Sequence, residues 1–366
     1  MDKESISAKQ LQFFIFTFGL GSHLLFNLGS GAGKQVWLAS ILSMIFSLPI
    51  VYVYGKIMSF YPEKNFYDIL GMTFGKITGK ILIMVFIFHT FLLGSYVIRD
   101  FSDFIKLTVL FDTPIVVPMI CIGILSVWIL KAGIEVLSAW CHFFIRIILV
   151  IIPIVVILLL PQMNSEKVLP LFDGNTKEIL KEAVKFVMFP MTEVIIFLNV
   201  FNYVKPNANI QAIFIKPIIL GGILYAILIV INIMILGANA YSEFYYPGYE
   251  AIKRLNLGGE FQRLEILVSG AFTIIQFTEI NYCLLGVSKG IEKLFSLNDY
   301  RDILVPIVIL MINFSYIIFG NPMNSKDFAK NYWTIYASVP QLILPIIILI
   351  VILIKRRNNS LKESEN

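Results

Sequence analysis

Charge is what this chain has least of. Only 14% of its 366 residues are Asp, Glu, Lys or Arg, against about a quarter in a soluble domain, so it has too few ions to coat a water-soluble globule. Histidine and cysteine are scarce as well, at three each. His23, His89 and His142 form no HExxH pair and no other metal-ligand spacing. Cys121, Cys141 and Cys283 lie in apolar runs without a CxxC, which leaves no disulfide framework and no zinc site. A GxSxG elbow is absent. The stretch Gly29 to Lys34 has glycines and a lysine but neither the spacing nor the Ser/Thr of a phosphate loop. The residues for hydrolytic chemistry and for ATP-driven pumping are therefore missing, no cofactor is implied, and an enzyme is not expected. The net charge of +5 gathers into no nucleic-acid-binding surface. The polar start MDKESISAKQ runs into the first of many apolar spans, unlike a cleaved signal peptide.

What is abundant is apolar: 58% of the residues are hydrophobic and the mean hydropathy is +0.82. The pattern predicts an all-α polytopic membrane protein of about ten spans. They lie near Leu11–Leu28, Val36–Phe60, Ile81–Leu110, Pro114–Leu130, Ser138–Leu160, Val184–Tyr203, Ile213–Ala240, Arg263–Leu294, Ile303–Phe319 and Thr334–Ile354. A polar connector holds an amphipathic piece (Phe66, Ile69, Leu70, Phe74) expected to lie on the membrane surface. Even span number puts both termini on one side. The excess of Lys and Arg there, including Lys3, Lys9 and Lys355 to Arg357, argues for cytoplasmic termini.

Two spans are interrupted. The first carries Gly19-Leu20-Gly21-Ser22, where two glycines in one turn make unwinding cheap. The sixth carries Phe189-Pro190-Met191-Thr192-Glu193. Pro190 has no N–H and its ring collides with the Phe186 carbonyl, which must find another partner in hydrocarbon. Matched breaks five spans apart point to a 5+5 inverted repeat, residues 11–160 and 183–354 of a single transmembrane domain, with a short cytoplasmic tail at 355–366 and a binding site near the midplane.

Glu193 costs roughly 2.5 to 3.5 kcal/mol at a helix centre, which is tolerable only against protein, water or a cation. It reads as a ligand site, or else as a proline kink with an internally paired acid. The N–H groups around Gly21, Ser22 and His23, and those of Thr192 and Glu193, are expected to seat a carboxylate. Carbonyls near Phe186 and Val187, with Glu193, would take an ammonium, so a small zwitterion fits. If Glu193 instead caps its own half-helix, the ligand binds chiefly at the first break. Thr273, Gln276 and Glu279 recur at three-residue spacing along one face of the eighth span, and Tyr96, Arg99 and Asp100 lie in the third. For Glu279, a proton acceptor, a ligand contact and a partner for Arg99 all remain open. His89 reads as a satisfied interior group. The ligand-binding candidates are Gly19, Gly21, Ser22, Tyr96, Phe189, Pro190, Thr192, Glu193, Thr273, Gln276 and Glu279.

A succession of short stretches runs along nearly the whole chain. It comprises Ile6-Ser7 with Gln10, Gly21-Ser22, Trp37, Tyr61-Pro62, Thr113-Pro114-Ile115, Gly133-Ile134-Glu135-Val136, Leu169-Pro170-Leu171, Phe189-Pro190 with Glu193, Leu236-Gly237, Tyr246-Pro247 and Arg263-Leu264-Glu265. In this order they resemble the B-subunit permease-like proteins of spore germinant receptors, a branch of the amino acid/polyamine/organocation transporter superfamily. The resemblance implies a LeuT-like bundle in the spore inner membrane that binds a small nutrient such as an amino acid. It also implies assembly with a larger membrane A subunit and a lipoprotein C subunit. Within it, Thr192 stands where glycine usually follows the proline, Gln35 where aspartate precedes the tryptophan, Ala139 where arginine often follows, and Glu279 where lysine is frequent. The function so implied is a germinant sensor; a proton-coupled amino-acid permease and a scaffold with a vestigial pocket are the other readings.

Overall fold

A computed structural model of the chain describes residues 4–25, 29–172, 174–204, 209–254 and 265–364, with the backbone alone for 22–25, 30 and 359–364. Lys205 to Asn207, expected to end the sixth span, and Arg263, expected to open the eighth, lie outside the described residues, as do the side chains of Ser22 and His23.

The described chain is almost wholly helical. The first half holds α1 (Ala8–Leu25), α2 (Val36–Ser59), α3 (Phe66–Phe74), α4 (Lys76–Thr108), α5 (Val116–Ala132) and α6 (Ile134–Leu159). The second half opens with α7 (Thr176–Phe186), a π turn Val187–Met191 and a 3-10 helix Glu193–Tyr203. Then come α8 (Ile210–Leu236), α9 (Ala238–Glu243), α10 (Pro247–Lys253), α11 (Glu265–Phe295), α12 (Leu304–Ile318), α13 (Pro322–Phe328), α14 (Thr334–Ser338) and α15 (Leu344–Ser364). Asn and Asp side chains open several helices by accepting orphan N–H groups: Asn65 from Tyr67 N at 2.9 Å, Asn175 from Lys177 N at 3.0 Å and Asn209 from Ala212 N at 3.1 Å. Gly133 alone joins α5 to α6, at φ 106°, a conformation that strains any residue with a Cβ.

Among the described residues seven helical segments are long and apolar enough to cross a membrane; α1, α5 and α11 complete the expected ten. The helix α11 carries Gln276, Thr278, Glu279, Asn281 and Ser288 around its circumference, all buried. Large apolar residues such as Ile77, Trp128 and Ile317 are exposed on the outside, as suits a lipid-facing surface. The sixth span is the most enclosed: 89% of its most apolar stretch is buried, against 22% for the span built on α6. It therefore forms the axis of the bundle.

Two expectations need correction, and one of the alternatives left open for Glu279 closes. The first span is not unwound at Gly19 to Ser22, because α1 runs as one helix through them to Leu25. The amphipathic segment α3 turns Phe66, Tyr67, Ile69 and Leu70 into the protein rather than onto lipid alone. Its neighbour Asn65 donates to the Asn199 carbonyl at 2.9 Å, and the Lys355 ammonium donates to the Thr73 carbonyl. Arg99 does not pair with Glu279. Its Nε donates to Asp103 Oδ2 at 2.9 Å and its Nη1 to the Phe319 carbonyl at 2.5 Å, because Asp103, one turn on, shares its face of α4.

Ile6 N–H donates to the Tyr203 carbonyl at 2.8 Å, so the N-terminal segment, α3 and the start of the C-terminal tail meet at one end of the bundle. The tail itself prolongs α15 as far as Ser364.

Removing one member of the buried Arg99–Asp103 pair leaves an uncompensated charge. Arg99→Met is expected to lower stability by about 3–5 kcal/mol, read as thermal unfolding in detergent, and Arg99→Met/Asp103→Leu should recover most of the loss.

Candidate functional site

The site grows out of the break in the sixth span. Helix α7 ends at Phe186, Phe189 is extended (φ −146°, ψ 109°), and the chain resumes as a 3-10 helix from Glu193. The interruption therefore falls where Pro190 required it. Several of its polar atoms are taken up by the protein. Thr192 N–H donates to the Val187 carbonyl at 3.0 Å, and the Thr192 hydroxyl donates to the same oxygen at 2.7 Å, with Gln341 Oε1 2.8 Å away. The Tyr54 hydroxyl contacts the Thr192 carbonyl at 3.2 Å and also the Gln341 carbonyl. The indole of Trp333, in the turn between α13 and α14, donates to the Met188 carbonyl at 3.2 Å. His89 Nε2 faces Gln341 Nε2 at 3.3 Å while its Nδ1 has no hydrogen-bond partner, so His89 is only half satisfied.

These bonds revise the expected anion seat. The N–H groups of Gly21, Ser22 and His23 sit inside a continuous helix, where they bond to carbonyls four residues back. The N–H of Thr192 and the carbonyl of Val187 are spent on each other. Carboxyl oxygens behind the break remain unspent.

Three carboxyl groups converge behind the break. Glu193 is 1% exposed, Glu279 1% and Asp100 2%. In each, one oxygen has no hydrogen-bond partner: Glu193 Oε1, Glu279 Oε1 and Asp100 Oδ1. Glu279 lies within electrostatic reach of both Glu193 and Asp100. Gln276 ties α11 to α4 by donating from Nε2 to Asp100 Oδ2 at 3.1 Å, and its own Oε1 is unpartnered. The buried base on α4, Arg99, is committed to Asp103. A buried polar atom without a partner costs about 1–3 kcal/mol, more when charged. Such a set is stable only with protons on the acids or a cation among them.

Aromatic faces close one side. The rings of Tyr96, Phe189 and Trp333 stand 6.1 Å apart, centroid to centroid, in all three pairings. From α1, Gly21 abuts Glu279 so closely that a Cβ there would lie 1.7 Å from Glu279 Oε1. The glycine thus serves close approach between α1 and α11 and not unwinding. Gly19, by contrast, has open space around it.

Of the expected residues, the structure brings together Gly21, Tyr96, Phe189, Pro190, Glu193, Gln276 and Glu279. Thr192 stands at the break as its clamp. Thr273 lies elsewhere: its hydroxyl donates to the Ser269 carbonyl at 2.9 Å, and it lines an outward groove with Trp128, Trp140 and Phe277. A three-residue step turns a helix by about 60° from true repeat, so two steps carry Thr273 off the face of Glu279.

A family model described as "Spore germination protein" matches residues 5–325. The chain belongs to the spore germination protein family. Spore germination protein KB of Bacillus subtilis (strain 168) is 24% identical over 369 residues, covering 100% of this chain and 99% of that protein. The putative spore germination protein YfkT of the same organism is 24% identical, covering 96% and 97%. Among solved structures, Mhp1, a nucleobase-cation-symport-1 family transporter in a closed conformation with bromovinylhydantoin bound, aligns with TM-score 0.68 at 14% identity. That alignment covers 94% of this chain and 78% of Mhp1. MhsT in complex with L-phenylalanine aligns with TM-score 0.63 at 14% identity, covering 96% and 99%. This member of the spore germination family therefore has the LeuT fold expected from its sequence, and is a permease-like multi-pass membrane protein.

In this spore germination protein, Tyr54, Trp333 and Gln341 do as much for the break as Pro190 does. No sequence signal flagged them, since neither their spacing nor their chain neighbours point to the break. Asp100 was visible as an intramembrane acid, but its role depends on α4 and α11 meeting.

The two glycines of α1 separate packing from helix propensity. Gly21→Ala should destabilise the protein by about 1–3 kcal/mol through overpacking against Glu279, whereas Gly19→Ala should be neutral or stabilising by up to about 1 kcal/mol. Melting temperatures of both variants in one detergent decide this.

Proposed function

We propose that this chain is the nutrient-sensing subunit of a spore germinant receptor. A small amine-bearing nutrient, such as an amino acid, binds between α1, α4, the broken sixth span and α11. The observation that carries this reading is the convergence of three enclosed carboxyl groups, each with an unpartnered oxygen and none with a basic partner. An ammonium placed there gains charge-assisted hydrogen bonds and the faces of Tyr96, Phe189 and Trp333. The candidate contacts are Gly21, Tyr96, Phe189, Glu193, Gln276 and Glu279, joined by Asp100, with Thr192 holding the break in shape. Gly19 and Ser22, on the same helix as Gly21, complete the set proposed from α1.

Occupancy would bias the bundle and be passed to a larger membrane A subunit and a lipoprotein C subunit in the spore inner membrane, with both termini cytoplasmic. The halves 11–160 and 183–354 are proposed as the two inverted repeats that rock about this site. MhsT, a neighbour of the same fold, is described in complex with an amino acid, which supports the ligand class. A second reading, a proton-coupled amino-acid permease, draws on the same acids, since Glu193 and Glu279 in mutual reach are able to share and release a proton.

Reconstitution in liposomes with labelled amino acids separates the two. The sensor reading expects saturable binding without accumulation, and binding lost when the amine is removed from the ligand. Accumulation that a protonophore abolishes would favour the permease. Glu193→Gln and Pro190→Ala are each expected to weaken the germination response with expression retained; full germinant sensitivity in both would refute the site.

A further inference from the structure

A second feature lies on the outside of the bundle. Between α1, α6 and α8 runs an apolar groove of about 420 Å³ lined by Phe13, Phe16, Leu149, Leu220 and Leu224. Its rim carries Lys9 and Lys216. Both belong to the N-terminal parts of their helices, and Gln12 fixes the two helices there by donating to the Ala212 carbonyl at 3.1 Å. The groove thus opens at the end of the bundle that holds the N-terminal segment.

A third cation joins them. Arg146 is exposed on the lipid-facing side of α6, about 18 Å along that helix from Ile134. A guanidinium at such depth is costly unless it reaches toward the interface and finds an anion. Arg146 does reach back: its Nη2 lies 2.5 Å from His142 Nε2, one turn nearer the N-terminal end. His142 is in electrostatic reach of both Arg146 and Lys9, and its ring packs edge-on against Phe13 of the groove at 4.9 Å. Among the described residues no carboxylate pairs with Lys9, Arg146 or Lys216.

We infer that this groove is a binding site for one anionic phospholipid, its headgroup phosphate held by Lys9, Arg146 and Lys216 and an acyl chain laid along Phe16, Leu149, Leu220 and Leu224. Charge complementarity selects the occupant: Lys9 and Lys216 at the mouth of an apolar channel, with Arg146 beside it through His142, match an anionic headgroup joined to a hydrocarbon tail. A zwitterionic lipid offers the same phosphate but brings its own headgroup cation beside the lysines and Arg146, which repel it. Because α1 also bears Gly21 against Glu279, a lipid wedged on the outer face of α1 would stiffen the helix that walls the central site.

The test is native mass spectrometry of the full-length protein with phosphatidylglycerol or phosphatidylcholine added in equal amounts. One phosphatidylglycerol should be retained in preference to phosphatidylcholine. Lys9→Gln and Lys216→Gln should each weaken retention about fivefold, the value of one interfacial cation, and Lys9→Gln/Arg146→Gln/Lys216→Gln should abolish the preference. Glycerol phosphate, which has the headgroup charge without the tail, should not displace the lipid. Equal retention of both lipids, or an unchanged preference in the two single variants, would overturn the proposal. The single substitutions are at exposed positions, so the result does not depend on the triple variant folding.

Discussion

Inside a bilayer a main chain that leaves its helix has no water to turn to, and the protein must supply each hydrogen bond from its own side chains. The sixth span leaves its helix at Phe189 and Pro190. Thr192 answers the Val187 carbonyl, Trp333 the Met188 carbonyl and Tyr54 the Thr192 carbonyl. These contacts come from α2, from the turn before α14 and from the broken span itself. The break is therefore not a local defect but the point that fixes where three distant parts of the chain pack. It also explains why this span is the most enclosed: a main chain so dependent on its neighbours cannot face lipid.

Once the break is fixed, the acids follow. Glu193 sits buried at the first turn after it, within electrostatic reach of Glu279, which is in turn within reach of Asp100. Closing α1 over Glu279 requires that Gly21 have no side chain. The same closeness that seals the site from lipid thus brings a carboxyl oxygen against the main chain of the first span. Basic residues are kept out by pairing: Arg99 is one helical turn from Asp103 and takes the Phe319 carbonyl as well. The result is a buried cluster of acids and aromatic faces, in a fold shared with Mhp1 and MhsT, each described with a small molecule bound.

Much of this was legible in the sequence, for reasons specific to hydrocarbon. Pro190 announced the break because a proline costs a helix a bond that lipid does not replace, and Glu193 and Glu279 announced an interior because a carboxyl is too expensive outside one. The order of apolar runs gave the ten spans. Glycines were ambiguous: Gly19 and Gly21 suggested unwinding, yet α1 is continuous and only Gly21 is needed, for contact with a helix more than 250 residues away in the chain. Thr273 shared the spacing of Gln276 and Glu279 but not their face, since the helix turns too far over six residues. Trp333, Gln341 and Tyr54 were silent, because their roles arise only when the tenth and second spans pack against the sixth.

The most direct test is an experimental density map of the full-length protein in a lipid nanodisc. The account predicts a main chain that departs from helical geometry at Phe189, with the Thr192 hydroxyl on the Val187 carbonyl and the Glu193 carboxyl turned toward Glu279 and Gly21. A sixth span running as unbroken helix past Pro190, or a Glu193 side chain among the acyl chains, would contradict it.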